Sequence, residues 1–174
     1  MLWACKKKIF YNLIFLFLST ICLADQNISG IPKVIDGDTV HIEKFKISLS
    51  FFGYSKKYKI RLNGIDAPEK NQKCNKQNTE YACGLQSTQA LINKINNRAI
   101  KCRLESNKDR YQRYIGTCFL KEENLNKWMV RNGYAIAYRR YLKDYVEEEQ
   151  YAKKNKLGIW QGYFLEPEKW RKLN

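Results

Sequence analysis

Arg61-Leu62-Asn63-Gly64-Ile65-Asp66-Ala67-Pro68-Glu69, with Val34-Ile35-Asp36-Gly37-Asp38-Thr39-Val40 upstream, gathers a guanidinium, several carboxylates and two chain reversals into one short stretch. Residues of these types suit metal-assisted attack on a phosphate. Carboxylate oxygens hold a divalent ion that polarises a phosphodiester, a further carboxylate activates water, and arginine neutralises charge growing on the phosphoryl oxygens. Asp38 sits where one strand bends and Asp66 where another ends, and neighbouring strand ends can bring both onto one hard cation. Glu69, just past Pro68, then hangs at the rim within reach of a water beside the ion. Arg61 faces the same region, and Arg113 closes a charged loop able to fold over it, giving two guanidinium forks for one phosphate. Each residue also has a plainer reading. Asp favours reversals, a lone surface Glu is solvated, and Lys108, Arg110 and Arg113 can form an ordinary basic loop.

Absences narrow the chemistry. His41 is the only histidine, so a two-histidine acid and base pair, or a histidine-bound metal, cannot be assembled within one chain. His41 itself reads as a structural or solvent-facing strand residue. No Gly-x-Ser-x-Gly elbow is present to present a nucleophilic serine. No Cys-x-x-Cys pair offers zinc spacing either.

The positioning elements follow from periodicity. Val34, Val40, Ile42, Phe45 and Ile47 alternate with polar residues around Asp36-Gly37-Asp38, which predicts two strands and a tight bend. Phe51 to Ser55 reads as a loop or bulge. The next strand, Tyr58 to Asn63, has Tyr58, Ile60 and Leu62 on one face and Lys59 and Arg61 on the other, so Arg61 points away from the core. Pro68 stops that run. Lys70 to Glu80 is expected to be a surface loop, Tyr81 to Ile95 a helix, Ala99 to Leu104 and Tyr114 to Leu120 strands joined by a charged loop, and Asn124 to Asn132 and Asp144 to Lys156 helices. Gly133 suits the C-terminal cap of the second helix. Five short strands, a helix between the third and fourth, and terminal helices fit an α+β fold built on a small OB-type β-barrel with about three helices.

Composition sets the environment. Lys6, Lys7 and Lys8, the apolar run Ile9 to Leu23 and the small-x-small end Cys22-Leu23-Ala24 read as a signal peptide, residues 1–24. The run is about 15 residues, short of the ~20 that span a bilayer. A retained anchor, or lipid attachment at Cys22, is the alternative. The mature chain, residues 25–174, has the size of a single domain. The formal charge of +15 falls to +12 without the three signal lysines, because residues 1–24 hold no acid. Such an excess favours polyanions through counterion release, although a genome rich in lysine codons would give the same bias. Cys74, Cys83, Cys102 and Cys118 remain, an even number behind a secretory signal, which points to two disulfides in an oxidising compartment. Of three possible pairings, Cys74 with Cys83 and Cys102 with Cys118 close local loops and are preferred.

The two opening motifs together with Asp109-Arg110-Tyr111-Gln112-Arg113 resemble the staphylococcal (thermonuclease-like) nuclease family. Asn132-Gly133-Tyr134-Ala135 and Ala152 to Trp160 look like that family's C-terminal segments, and the motifs occur in the family's order from about Ile31 to Trp160. The resemblance implies an OB-type barrel and a Ca²⁺-dependent endonuclease acting on DNA and RNA without strong sequence preference, leaving 3′-phosphates. By motif match, Asp38, Asp66 and the carbonyl of Ala67 hold Ca²⁺, Glu69 positions or deprotonates water, and Arg61 and Arg113 bind the phosphate. Arg110 and Tyr111 match terminal-phosphate contacts. Tyr138 matches an aromatic residue flanking the bound nucleotide; stacking there tolerates any base, and barrel-edge packing is the alternative.

The chain departs from the family pattern at Gln112, where glycine is usual, and at Ala67, where threonine is frequent. A side chain at residue 112 bears on how Arg113 is aimed. The similarity fades after Trp160. A secreted or periplasmic monomer acting on single- and double-stranded DNA and on RNA is therefore expected, with activity rising toward alkaline pH as the ligands lose their protons. The alternative is a catalytically idle OB-fold module that holds nucleic acid on its basic face. Simple binding would need neither the carboxylates nor an ion.

Overall fold

The computed structural model describes residues 26–47, 53–140 and 143–174. The signal segment 1–24 and Phe51-Phe52 lie outside these residues. Alternation in the central strands becomes burial: Val40, Ile42, Tyr58, Ile60 and Leu62 are all buried. They belong to β3 (Thr39–Ile47) and β4 (Gly53–Leu62), an antiparallel pair in the register Thr39 to Arg61. Around them run β1 (Gln26–Gly30), β2 (Pro32–Asp36), the two-residue β5 (Ile65–Asp66), and β6 (Cys74–Lys76) with β7 (Thr79–Tyr81). Next come α1 (Cys83–Ile95), β8 (Ile100–Lys108), β9 (Tyr114–Leu120), β10 (Glu123–Asn124), α2 (Leu125–Arg131), β11 (Ile136–Ala137), α3 (Val146–Lys154) and α4 (Pro167–Leu173).

The main sheet has the order β1-β8-β9-β4-β3-β2, with β10 paired to β9. β4 and β9 run parallel, as a long connection through α1 permits. Both edges of this path belong to one stretch of chain, since only Ile31 separates β1 from β2. The sheet therefore curls round a core in the OB manner, without direct pairing of β1 to β2. Leu91 and Ile95 of α1 and Leu125, Met129 and Val130 of α2 close that core. The fold is α+β, as expected.

Several boundaries differ from the sequence reading. The main sheet has seven strands rather than five, and the described residues hold four α-helices rather than three. β4 begins at Gly53 inside the expected loop, and β8 runs on to Lys108 past a bulge after Leu104. Both extensions project beyond the core, with Glu105 to Lys108 exposed on both faces, so no alternation marks them. The expected loop at Lys70 to Glu80 contains the β6–β7 hairpin. α1 starts at Cys83 and α3 spans Val146–Lys154, each shorter than predicted, and α4 was not anticipated.

Both preferred disulfides form. Cys102–Cys118 joins directly opposed residues of β8 and β9 inside the barrel core. Cys74–Cys83 links β6 to the start of α1. It sits in a second apolar cluster with Ile136 and Ile159, against which Trp160 and Phe164 pack.

Candidate active site

The barrel brings the ends of three strand segments to one corner. The β2–β3 turn is tied to the end of β4 by Leu62 N–H donating to the Asp38 carbonyl at 2.8 Å. Gly37 makes the close approach possible: a Cβ there would lie 2.0 Å from Ser87 Oγ and 2.7 Å from Ala67 Cβ. On the other side, Asn126 donates to the Asn63 carbonyl at 2.9 Å, which fixes the reversal leading to β5. β5 pairs with β11, Asp66 opposite Ile136. Glu149 of α3 is a buried carboxylate that accepts from Ala137 N–H (3.0 Å) and Lys153 (2.9 Å) and pairs with Arg139. α3 therefore holds the strand that holds Asp66.

Asp38 and Asp66 converge as the motifs require. Arg61 bridges them, one guanidinium nitrogen on Asp38 and the other on Asp66 Oδ1 at 2.8 Å. The sequence placed Arg61 on the face away from the core, and it is on that face. Its side chain is only 14 % exposed, however, because the carboxylates cover it. Ala67 N–H donates to Asp38 Oδ2 at 3.1 Å, and Thr39 Oγ1 donates to Asp38 Oδ1 at 3.0 Å. Burial alone would push the Asp38 carboxyl up, but the Arg61 charge and the Ala67 amide hold it below the ordinary carboxylate range. Asp66 is raised, by burial first and by the Asp38 charge, against hydrogen bonding from Arg171. Asp36, whose Oδ1 accepts from Asp38 N–H at 3.1 Å, is pushed up to about 7 by burial and by Asp38. Carboxylates this crowded are a store of unfavourable charge that cations relieve.

Glu69 stands at the rim, a third exposed. Its backbone is held by buried Gln72, whose Oε1 accepts from Glu69 N–H at 3.2 Å, and by Gly84, where a Cβ would meet the Glu69 carbonyl at 1.7 Å. The Cys74–Cys83 bridge pins both flanks of this contact. The loop Asp109-Arg110-Tyr111-Gln112-Arg113 folds back on Asp109. Asp109 accepts from the Tyr111 and Arg113 amides at 2.9 Å and from Arg113 Nε at 2.8 Å. Gln112 has φ of 62°, the left-handed conformation that explains why glycine is usual there, yet Arg113 still reaches Thr39 Oγ1 at 3.2 Å. Thr39 hands that contact on to Asp38. Arg110 and Arg113 lie over the exposed Tyr111 ring, 4.9 and 5.3 Å from its centroid. Tyr138 follows β11; its hydroxyl donates to Glu168 of α4 at 3.1 Å, and it lines an open cavity of about 240 Å³ that also touches Asp66.

Two residues here escaped the sequence reading as site members. Asp36 was visible within the first motif but read as part of a turn. Arg171 of α4 had no signal at all. It grips both oxygens of Asp66 at 3.0 Å and Glu69 Oε1 at 2.7 Å.

A divalent ion is the group the motif resemblance implies, and the donor chemistry fits it: every candidate ligand is a carboxylate or carbonyl oxygen, the set a hard cation takes. Among the described residues, no three His, Cys, Asp or Glu side chains stand together so as to hold a metal ion; guanidinium groups bridge the carboxylates. Asp38 and Asp66, with the Ala67 carbonyl, are the residues that could hold the ion.

Comparison with known proteins agrees with this geometry. The family model for staphylococcal nuclease homologues matches residues 59–162, a stretch containing Arg61, Asp66, Ala67, Glu69 and Arg113. An uncharacterized endonuclease of Haemophilus influenzae is 31 % identical over 163 residues, covering 92 % of this chain and 81 % of that protein. An uncharacterized endonuclease of Escherichia coli O157:H7 is 30 % identical over 150 residues, 84 % of this chain and 85 % of the other. Succinoglycan biosynthesis protein ExoI of Rhizobium meliloti is 33 % identical over 141 residues, 79 % of this chain and 66 % of that protein. With the family model covering more than half its length, and with the carboxylates and arginines gathered at one corner of its barrel, the chain belongs to the staphylococcal nuclease homologue family.

Proposed function

We propose that this protein is a secreted or periplasmic, Ca²⁺-dependent endonuclease that hydrolyses phosphodiester bonds of single- and double-stranded DNA and of RNA without strong sequence specificity, leaving 3′-phosphate ends and working as a monomer. The observation that carries the reading is the convergence of Asp38, Asp66, Glu69, Arg61 and Arg113 at one corner. Two disulfides accord with an oxidising compartment. No helix among the described residues is long and apolar enough to cross a membrane.

Asp38, Asp66 and the Ala67 carbonyl would hold Ca²⁺, which when bound would polarise the phosphate and lower the barrier to attack. Arg61 bridges the two aspartates and meets a phosphoryl oxygen with a remaining donor. Arg113, aimed by Asp109 and standing beside Thr39, meets a second oxygen as charge develops. Glu69, on the rim where solvent enters, accepts a hydrogen bond from the attacking water and takes its proton. The water oxygen bonds to phosphorus as the P–O5′ bond breaks, and the departing 5′-oxygen takes a proton from solvent. Arg110 and Tyr111 contact a terminal phosphate, and Tyr138 flanks a nucleotide in the adjoining cavity, where a π-face reads no sequence. The net charge supplies steering.

The mature protein should degrade single-stranded DNA with Ca²⁺ and stop when the ion is chelated. Glu69→Gln should lower turnover by roughly 100-fold or more, the size expected for loss of a positioned proton acceptor. Cleavage indifferent to chelation would refute the reading, and retention of DNA without turnover at every Ca²⁺ concentration would replace it with a binding module.

A further inference from the structure

Arg171 lies outside the family match, on a helix the motifs do not reach, yet it makes the closest approach of any tail residue to the carboxylates. Asp66 is fully buried, and both of its oxygens are taken: Oδ1 by Arg61 and Arg171, Oδ2 by Arg171. The same guanidinium closes on Glu69 Oε1. A fork held on two carboxylates in this way satisfies both and compensates a buried charge that would otherwise stand against Asp38.

The support of this fork is slight compared with its grip. α4 has seven residues and no side-chain cap, too few turns to persist alone. Polar tethers and one aromatic ring hold the tail in place: Gln72 Nε2 donates to the Leu165 carbonyl at 2.6 Å, Asn75 and Tyr163 exchange backbone hydrogen bonds at 2.8 Å, Tyr138 reaches Glu168, and Phe164 packs against the second apolar cluster ahead of the helix. Within α4 only Pro167 is buried, and Leu173 at its end is 75 % exposed.

We propose that Arg171 is a tethered counter-cation for Asp66 and Glu69, which a divalent ion must displace before the site can work, so that the C-terminal helix sets the ion affinity of the site. The inference rests on the reading of Asp66 as an ion ligand. A dication and a guanidinium on one buried carboxylate repel each other, and the ion has the higher charge. Departure of the fork also releases Glu69 for water. By linkage, anything that loosens α4 tightens ion binding, and the ion in turn weakens the hold of α4 on the barrel corner.

Calorimetric titration of Ca²⁺ into the full chain, without nucleic acid, tests this on the wild type, Arg171→Gln, Arg171→Ala and Asp66→Asn, with melting curves to verify folding. Arg171→Gln and Arg171→Ala should bind Ca²⁺ roughly 10-fold tighter than the wild type, within the range of intramolecular coupling, and Asp66→Asn should lose the binding. Asp66-dependent binding that is equal or weaker without Arg171 overturns the inference and leaves the ion site standing. Absence of Asp66-dependent binding in every chain overturns the ion site and the inference with it. Should the neutral variants not fold, Arg171→Lys keeps the charge but cannot span both Asp66 oxygens and Glu69, so it should still bind more tightly than the wild type; equal or weaker binding refutes the inference.

Discussion

Arg61 and Arg171 both hold the buried Asp66 carboxylate, meeting at its Oδ1, and the regions that deliver them are built differently. Arg61 is part of a strand whose register is set on both edges, opposite Thr39 in β3 and Ile115 in β9. To move it, the barrel must slip, which would turn Ile60 and Leu62 out of the core. Arg171 comes from a short helix near the C-terminus, joined to the barrel by a few polar contacts, the packing of Phe164 and one buried proline. Breaking the same ion-pair chemistry therefore requires more rearrangement on the barrel side than on the tail side. Distances alone do not reveal this, since 2.8 Å and 3.0 Å are equivalent contacts. What differs is the amount of structure that must rearrange to break each one.

The contrast can be broken most directly at its rigid side. Arg61→Ala strands Asp38 and Asp66 in the interior with less compensation, which should cost about 3–5 kcal/mol of stability and lower cleavage by roughly 100-fold or more. Urea unfolding and single-turnover cleavage would measure both, and a loss of stability no larger than that of Arg171→Ala would dissolve the distinction. A smaller effect compares the two disulfides. Replacing Cys102 and Cys118 by alanine should cost about 3 kcal/mol, and replacing Cys74 and Cys83 about 2.5 kcal/mol, by loop-closure entropy. Only the second pair borders the Gln72 and Gly84 contacts that hold Glu69, so its loss should slow turnover by roughly 10-fold while the first leaves it within about twofold, because small misplacements of a catalytic group are costly. Equal turnover in the two double variants would show that the bridge does not position Glu69.

The smallest effect concerns Asp36. Its folded pKa, about 7, lies above the ordinary carboxyl value of 3.8. A carboxyl raised in this way favours folding most fully below the unfolded value, and that contribution is lost as pH rises through about 7. In the presence of a chelator, Asp36→Asn should therefore raise the melting temperature at pH 8 and leave it nearly unchanged at about pH 3, below the ordinary value of 3.8, where the wild-type group is neutral in the folded and the unfolded chain alike. A shift of equal size at both pH values would remove the charge explanation.

Much of the barrel and of the site corner was legible because it obeys local rules. Alternation marked β3 and β4 where one face is buried, and the same rule failed at Gly53 to Lys57 and Glu105 to Lys108, where the strands leave the core and no face is dry. Asp38, Asp66, Glu69, Arg61 and Arg113 stood out because their spacing within motifs is short, and the turn at Asp36-Gly37-Asp38 was visible through its residue types. Gln112 raised the question of how Arg113 is aimed; the structure answers it with a left-handed backbone and an Asp109 carboxylate that accepts three hydrogen bonds and makes a further ion-pair contact to Arg113 within one loop. α4 left little trace, since only one of its residues is buried and no apolar stripe announces it.

The amino-acid sequence by itself determined the residue types at the corner, the alternation that makes the barrel strands, and the local pairing of cysteines, all consequences of interactions between residues near one another in the chain. Tertiary structure alone decided that Arg171, separated from Asp66 by 105 residues, shares its carboxylate with Arg61, and that Glu149 supports the strand beside it. Such contacts depend on where distant segments come to rest after the core has formed, and no period or spacing within a segment encodes that.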